Sequence, residues 1–469
     1  MGKEISFRDH ITTVSEDGKH RKWMYPRLVK GKLYRLRKYI AGALLALMFL
    51  GPFIRLNGEQ LILLNVLERK FAFFGVVFSP QDFYLFVLGM LIFVVFIVLF
   101  TVIFGRVWCG WACPQTIFME MIFRRIERWI EGDASRQKKL DQSALTFEKL
   151  WKKTAKHGLF ILVSFVISNV FLAYIIGSEA LFKTIKDPIK DHLGGFIAIW
   201  IFTGVFYLVF SRLRELVCIV ACPYGRLQGV LLDSKSMIVA YDYERGEPRG
   251  KRRRTKSGDG GAVTEKKGEC VDCGLCVQVC PTGIDIRNGT QLECINCTLC
   301  IDACDMVMQK IGRPARLIGF MSEEQIKTRS AFKPGRRLYS YSAVLLVLVT
   351  ILSVLIFRRT DVDATVLRAG GTIYQLRDDG TVSNLYNAEL VNNTNHVINF
   401  RIKPLTEGTS IQYIQQENKL EKNGNVKLTF FLVRSQKAIK EYKSDVELEV
   451  ISEGKTVDRI KTNFIAPAN

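Results

Sequence analysis

The chain has 469 residues, 48% of them hydrophobic and 24% charged, with a formal net charge of +21. That length suits roughly two to four domains, and apolar stretches set between charged ones exclude a single soluble globule. Clustered Lys and Arg would neutralise phosphates, but here the basic residues crowd into alternate loops between apolar runs, the positive-inside bias of inserted helices, so no nucleic-acid partner is expected.

In chain order, residues 1–38 are basic and polar, which argues against a cleavable signal peptide and for a cytoplasmic segment. Five apolar windows follow: Tyr39 to Ile54, which contains Gly51-Pro52, then Phe83 to Gly105, His157 to Gly177, Leu193 to Phe210 and Tyr341 to Phe357. They predict a five-helix transmembrane bundle, with four helices in residues 39–225 and the fifth at 341–357. Lys plus Arg number 11 before the first window, 2 in 58–81, 11 in 106–156, 3 in 178–192 and 22 in 211–340. The alternation puts the N-terminus and 226–340 in the cytoplasm and 358–469 on the far side, the periplasm of a Gram-negative host. Arg358 and Arg359 stand on the wrong side of the last window, a local exception to that bias.

All twelve cysteines lie between Cys109 and Cys304 in short-spaced sets, which favours metal over disulfides. The second window ends in Cys109-Gly-Trp-Ala-Cys113-Pro114 and the fourth in Cys218-Ile-Val-Ala-Cys222-Pro223. Residues four apart on a helix share a face, so each pair can offer two sulfurs to one soft ion: copper, zinc or an iron–sulfur centre. Cysteine is also tolerated as a small buried hydrophobe, but the same motif twice at equivalent membrane depth points to copper coordination or electron relay. Trp108 and Trp111 suit an interfacial belt, His157 and His192 are boundary residues outside the site, and Met306 and Met308 fit core packing.

The run Arg249 to Lys267 reads as a flexible linker whose basic residues meet anionic lipid. Beyond it, Cys270, Cys273, Cys276 and Cys280-Pro281 are followed by Cys294, Cys297, Cys300 and Cys304, each run at 2-2-3 spacing. In such bis-cluster domains the fourth cysteine of each run ligates the other cubane. One 4Fe-4S cluster is therefore expected on Cys270, Cys273, Cys276 and Cys304, and the other on Cys294, Cys297, Cys300 and Cys280. Zinc knuckles also use CxxC pairs, but the doubled 2-2-3 spacing fits cubanes better. The domain, with its core at 268–312, is ferredoxin-like. Gly274 permits a tight loop, and Thr298 stands at the equivalent place in the second run. Thiolates of this kind persist in a reducing compartment, in agreement with the cytoplasmic placement.

From Asp361 the pattern alternates with period two, as in 397–402, 426–432 and 446–451, with turn signals at Asp379-Gly380 and Asn423-Gly424. This predicts a C-terminal all-β sandwich of immunoglobulin type, a binding or docking module.

VWCGWACPQT at 107–116, ACPYGRLQ at 221–228, YDYERGEPRG at 241–250, the cysteine run at 276–305 and the terminal sandwich together resemble the CcoG family (FixG/RdxA) of cytochrome c oxidase accessory proteins. The resemblance implies a bacterial inner-membrane oxidoreductase. Its function would be to reduce Cu(II) to Cu(I) for assembly of cbb-type cytochrome c oxidase, with copper handled at Cys109, Cys113, Cys218 and Cys222. Implied partners are membrane lipid, the oxidase with its copper-delivery factors, and a cytoplasmic or quinol electron donor. A quinol-linked electron-transfer subunit and a non-catalytic assembly scaffold are the competing readings.

Overall fold

A computed structural model describes residues 21–467 except 22, 57, 67–69, 79–81, 189, 191–192, 251–267, 332–334, 372, 395, 415–416, 423, 437–438, 440 and 453–454. Most of the N-terminal segment, the linker from Lys251 to Lys267, His192 and Asn423 thus lie outside the described residues. The chain divides into two compact units, one of Met1–Gly51, Met90–Ala173 and Ser178–Val349, the other of Pro52–Gly89, Tyr174–Gly177 and Thr350–Asn469.

Four helices among the described residues are long and apolar enough to cross a membrane: Phe83–Phe104, Phe147–Ile176, Leu193–Leu213 and Arg336–Phe357. Each overlaps a predicted window; Phe147–Ile176 and Arg336–Phe357 begin earlier, on polar turns, and Leu193–Leu213 runs on through a π-helical turn. The first window, Tyr39 to Ile54, is not among them. Its helix is Lys32–Leu50, which opens on Lys32, Arg35, Arg37 and Lys38 and stops before Gly51-Pro52. Only Tyr39 to Leu50 is free of charge, a shorter apolar stretch than the roughly 20 residues of a typical span.

In the first unit the membrane helices pack through aromatic rings. Phe123 stacks on Phe210 with centroids 4.5 Å apart and meets Phe160 edge-on at 4.8 Å. The Ser168 and Thr203 hydroxyls share a 2.8 Å hydrogen bond, the kind of polar link that joins helices where no water competes. The cysteine-rich domain is built on a two-stranded antiparallel ribbon, Ile238–Tyr241 with Ile318–Met321, and on helices Leu275–Gln278 and Leu299–Lys310. Val239, Ile284, Ile286, Ile301, Met308 and Leu317 form its apolar core around the cysteines.

Among the described residues the second unit holds a three-stranded meander, Ile62–Asn65, Lys70–Phe73 and Val76–Phe78, and nine C-terminal strands. These are β1 Val362–Arg368, β2 Gln375–Leu376, β3 Thr381–Asn392, β4 Ile398–Pro404, β5 Thr409–Tyr413, β6 Lys419–Leu420, β7 Asn425–Ser435, β8 Lys443–Ser452 and β9 Lys455–Ile465. One sheet runs β5-β7-β3-β1 with β2 on β3, and the other β6-β4-β8-β9. Alternating residues such as Tyr386, Leu390, Phe430, Leu448 and Phe464 fill the space between the sheets, as the period-two pattern requires. At the predicted Asp379-Gly380 turn, Gly380 takes φ +73° and Asp379 Oδ1 accepts from the Thr381 amide at 2.9 Å. Arg359 has a local role here: it donates to Asp82 Oδ2 at 2.6 Å, Val77 O at 2.8 Å and Asn393 Oδ1 at 3.0 Å.

Candidate functional site

Both CxxxCP segments are made the same way. Four residues before the first cysteine the helix breaks at a left-handed residue, Gly105 at φ +56° and Arg214 at φ +51°. A Cβ on Gly105 would lie 2.7 Å from Ile238 Cγ2. Arg214 has a Cβ, and a two-pronged bond to Glu127, 2.8 and 2.9 Å, over-determines its unusual backbone. A short helical turn then carries the first cysteine, Val107–Trp111 or the π-helical Val217–Ala221.

The second cysteine leaves that turn. Cys113 and Cys222 are extended residues capping new helices that begin at Pro114 and Pro223. Proline lacks the amide that would continue the helix and is suited to a first position, so the expected shared helical face does not form. The Cys113 sulfur instead receives the Gln115 and Thr116 amides, which favour its thiolate, although burial raises the thiol overall.

The two segments nevertheless abut: a Cβ on Gly225, three residues after Cys222, would lie 2.7 Å from Cys218 O and 2.9 Å from Arg106 Nη2. Burial pushes Cys218 up to about 12, and Cys113, Cys109 and Cys222 each add to the rise. Cys109, 7% exposed, is raised by burial, against the opposing charge of Arg106. Its thiol donates to Gln228 Oε1 at 3.3 Å. Among the described residues no three His, Cys, Asp or Glu side chains converge tightly enough for a single metal ion. A cubane spreads its thiolates wider than a mononuclear ion does.

The eight remaining cysteines surround two cavities. One, of about 400 Å³, is lined by Cys270, Cys273, Cys276 and Cys304 with Tyr241, Arg287 and Met308. The other, of about 350 Å³, is lined by Cys280, Cys294, Cys297 and Cys300, with Cys276 also on its wall. The fourth cysteine of each run thus stands in the other run's cavity. The loops repeat each other: Asp272 and Asn296 are both at φ +51°, Gly274 at +63° and Thr298 at +66°. Thr298 therefore adopts the left-handed conformation expected of glycine, and its hydroxyl donates to Cys297 O at 2.6 Å. Burial pushes Cys276 up to about 11 and Cys294 and Cys304 up to about 12, so these thiols shed protons when they take metal. Paired cavities with four sulfurs each fit iron–sulfur clusters.

The Cys280 set adjoins the membrane-proximal thiols. A Cβ on Gly110 would lie 2.4 Å from Ile295 O and 3.0 Å from Cys297 N, so Cys109's neighbour rests directly on the second cysteine run. Trp111 Nε1 donates to Asn296 O at 3.3 Å, beyond the belt role its sequence suggests. A cavity of about 320 Å³ touches Cys218 on one side and Pro281 and Thr282 on the other, with Glu120, Arg124, Arg214 and Glu215 in its wall. Cys273 is exposed, in contrast to the buried Cys297.

Several contributors are invisible to motif reading. Asp302 accepts the Leu33 and Tyr34 amides at 3.2 and 2.7 Å, Arg37 donates to Gly110 O at 2.7 Å, and Arg106 donates to Gln228 Oε1 at 2.8 Å. His157 is satisfied by Tyr207 at 3.0 Å. Met308 is core, and Met306 packs beside Cys109.

Known proteins bear the same features. A model described as a 4Fe-4S dicluster domain matches residues 213–323, a 4Fe-4S binding domain matches 86–133, and an IG-like fold at the C-terminal of FixG matches 352–467. Protein RdxB of Cereibacter sphaeroides is 35% identical over 399 residues, 82% of each chain, and Protein RdxA of the same organism is 36% identical over 395, 81% of each. Nitrogen fixation protein FixG of Rhizobium meliloti is 36% identical over 306 residues, 64% of this chain and 57% of that one. The crystal structure of a FixG-related protein from Vibrio parahaemolyticus covers 23% of this chain and 97% of its own at 19% identity and TM-score 0.20. Given this identity over four-fifths of two relatives, the apolar helices and the paired cysteine cavities, the chain belongs to the FixG/RdxA family and is a membrane iron–sulfur electron-transfer protein.

Proposed function

We propose that this protein reduces cupric to cuprous ion, for assembly of a cbb-type cytochrome c oxidase, at the thiols of Cys109, Cys113, Cys218 and Cys222. One observation carries the reading: Gly110, beside Cys109, rests on the backbone of the second cysteine run, and Cys218 lines a cavity whose other wall is Pro281 and Thr282. Cys270, Cys273, Cys276 and Cys304 hold an outer 4Fe-4S cluster, and Cys294, Cys297, Cys300 and Cys280 an inner one. When bound, the clusters supply single electrons. Exposed Cys273 gives a cytoplasmic or quinol-linked donor its approach to the outer set. Each cupric ion takes one electron, the binding thiols release their protons, and soft thiolates retain the cuprous product. A pair of thiolates suffices for cuprous ion, so neither CxxxCP pair needs a third donor.

The cysteine domain and N-terminus face the cytoplasm of a bacterial inner membrane, and the sandwich faces the periplasm, where it docks the oxidase or its copper-delivery partners. The basic-loop alternation supports this. On this reading Lys32–Leu50 also crosses. Its 19 residues reach about 28 Å at 1.5 Å per residue, near the hydrocarbon thickness.

The test is anaerobic. The protein, in detergent with reconstituted clusters, is reduced and given cupric ion, and cluster absorbance is followed beside the colour of a cuprous chelator. Reoxidation that keeps pace with cuprous ion, and fails in the Cys109→Ala, Cys113→Ala, Cys218→Ala, Cys222→Ala variant while its iron is retained, is expected. Equal reduction by that variant would remove copper from these thiols. The 4Fe-4S binding match over residues 86–133, which include Cys109 and Cys113, favours a second reading: the same thiols relay electrons to a partner. Their substitution would then abolish electron delivery irrespective of copper.

A further inference from the structure

Buried arginines in the first unit fall into two groups. Arg124 and Arg214, 3% and 2% exposed, are paired with Glu120, Glu127 and Glu215. Arg37 and Arg106, 2% and 5% exposed, reach no carboxylate within ion-pair distance among the described residues. Among the described residues Arg37 bonds only to Gly110 O, at 2.7 Å, and its two terminal nitrogens have no hydrogen-bond partner. Arg106 bonds to Gln228 Oε1 at 2.8 Å and to Leu292 O. A buried guanidinium cannot shed its proton, and without a counter-charge it is among the costliest groups a fold can bury.

Both arginines converge on the same cysteine run. The oxygen that Arg37 grips belongs to Gly110, which packs on the Cys297 backbone, and the carbonyl that Arg106 grips is two residues before Cys294. The surroundings of Cys270, Cys273, Cys276 and Cys304 are different. Arg287 lines that cavity, but it is bound by Asp285 at 2.7 Å and by Asp272, which cancel its charge.

We propose that Arg37 and Arg106 are the counter-charges of the inner cluster, the positions that keep it reducible inside a buried setting. Reduction adds one electron and one negative charge, which burial alone opposes. Two fixed positive charges without carboxylates offset that opposition, and thiolate-bound iron supplies the anion that the arginines lack. Net charge and solvent exposure are recognised determinants of cluster potential. The inference goes beyond copper reduction and holds whichever acceptor the thiols serve.

The experiment is a potentiometric titration of the reconstituted full chain, followed by EPR, with iron and acid-labile sulfide measured beside it. The inner signal is the one lost in Cys297→Ser. In Arg37→Gln and in Arg106→Gln the inner midpoint falls while the outer one stays; Arg37→Lys and Arg106→Lys restore it, and Arg287→Gln leaves the inner midpoint in place. Unchanged inner midpoints, or an equal fall in both clusters, would overturn the proposal. If the glutamine forms lose iron, Arg37→Met and Arg106→Met keep the stem without the charge. Loss of inner iron alone in these, with the lysine forms intact, also supports a counter-charge. Loss in the lysine forms as well would mean that shape, not charge, is what these residues supply.

Discussion

Gly110 lies with its Cα against Cys297, so that an added Cβ would be 2.9 Å from the Cys297 Cα and 2.4 Å from Ile295 O. Both neighbours are backbone and cannot swing away. Gly110→Ala therefore separates the two cysteine systems, at an overpacking cost of about 1–3 kcal/mol. The measurable outcome is loss of roughly one cluster's iron, from the inner site, with the outer EPR signal retained. Gly42→Ala, where nothing lies within 4 Å of the new atom, serves as the control and keeps both.

Cys280 lines the cavity of the second cysteine run and Cys304 that of the first. Cys280→Ser is expected to abolish the same EPR signal as Cys297→Ser, and Cys304→Ser the same signal as Cys273→Ser. If Cys280→Ser instead matched Cys273→Ser, each cluster would be held by one run alone.

Arg359 and Asp82 form a nearly buried pair, their side chains 10% and 3% exposed. Breaking such a pair by removing one partner costs about 3–5 kcal/mol. Arg359→Ala should accelerate proteolysis of the C-terminal sandwich in the intact protein while iron content and cluster absorbance remain those of the wild type.

Glu127 is pushed upward by burial, but Arg214 and Lys156 hold it below its ordinary 4.5. A carboxylate depressed in the folded state stabilises above its unfolded value, and that contribution disappears as pH falls through the folded value. Denaturation in detergent should show full stability at pH 7 and progressive loss below about 4.5. Glu127→Gln is destabilised at pH 7 by about 3–5 kcal/mol, because it leaves the buried Arg214 with Glu215 alone, 3.8 Å away, and its stability falls less steeply in acid.

Local chemistry made much of this protein legible. Thiolate spacing at 2-2-3, the proline after each CxxxC and the period-two strands are short-range patterns that carry their own geometry. Apolar length did the same for four spans; in the first window Lys32, Arg35, Arg37 and Lys38 charge the opening turns of the helix and leave only Tyr39 to Leu50 free of charge. Thr298 shows the limit on a small scale: its type suggested a departure from glycine, while its backbone at φ +66° repeats Gly274.

The sequence by itself determined the spacing of the cysteine runs, the alternation of the C-terminal strands and where basic loops gather, since each depends on neighbours a few residues apart. Only the tertiary structure decided that the Cys280 set, and not the Cys273 set, adjoins the CxxxCP thiols, and that Arg37 and Arg106 are buried beside it without carboxylates. Those relations join residues up to 260 positions apart, such as Arg37 and Cys297. The balance of burial against charge is a property of the packed whole, which no local pattern carries.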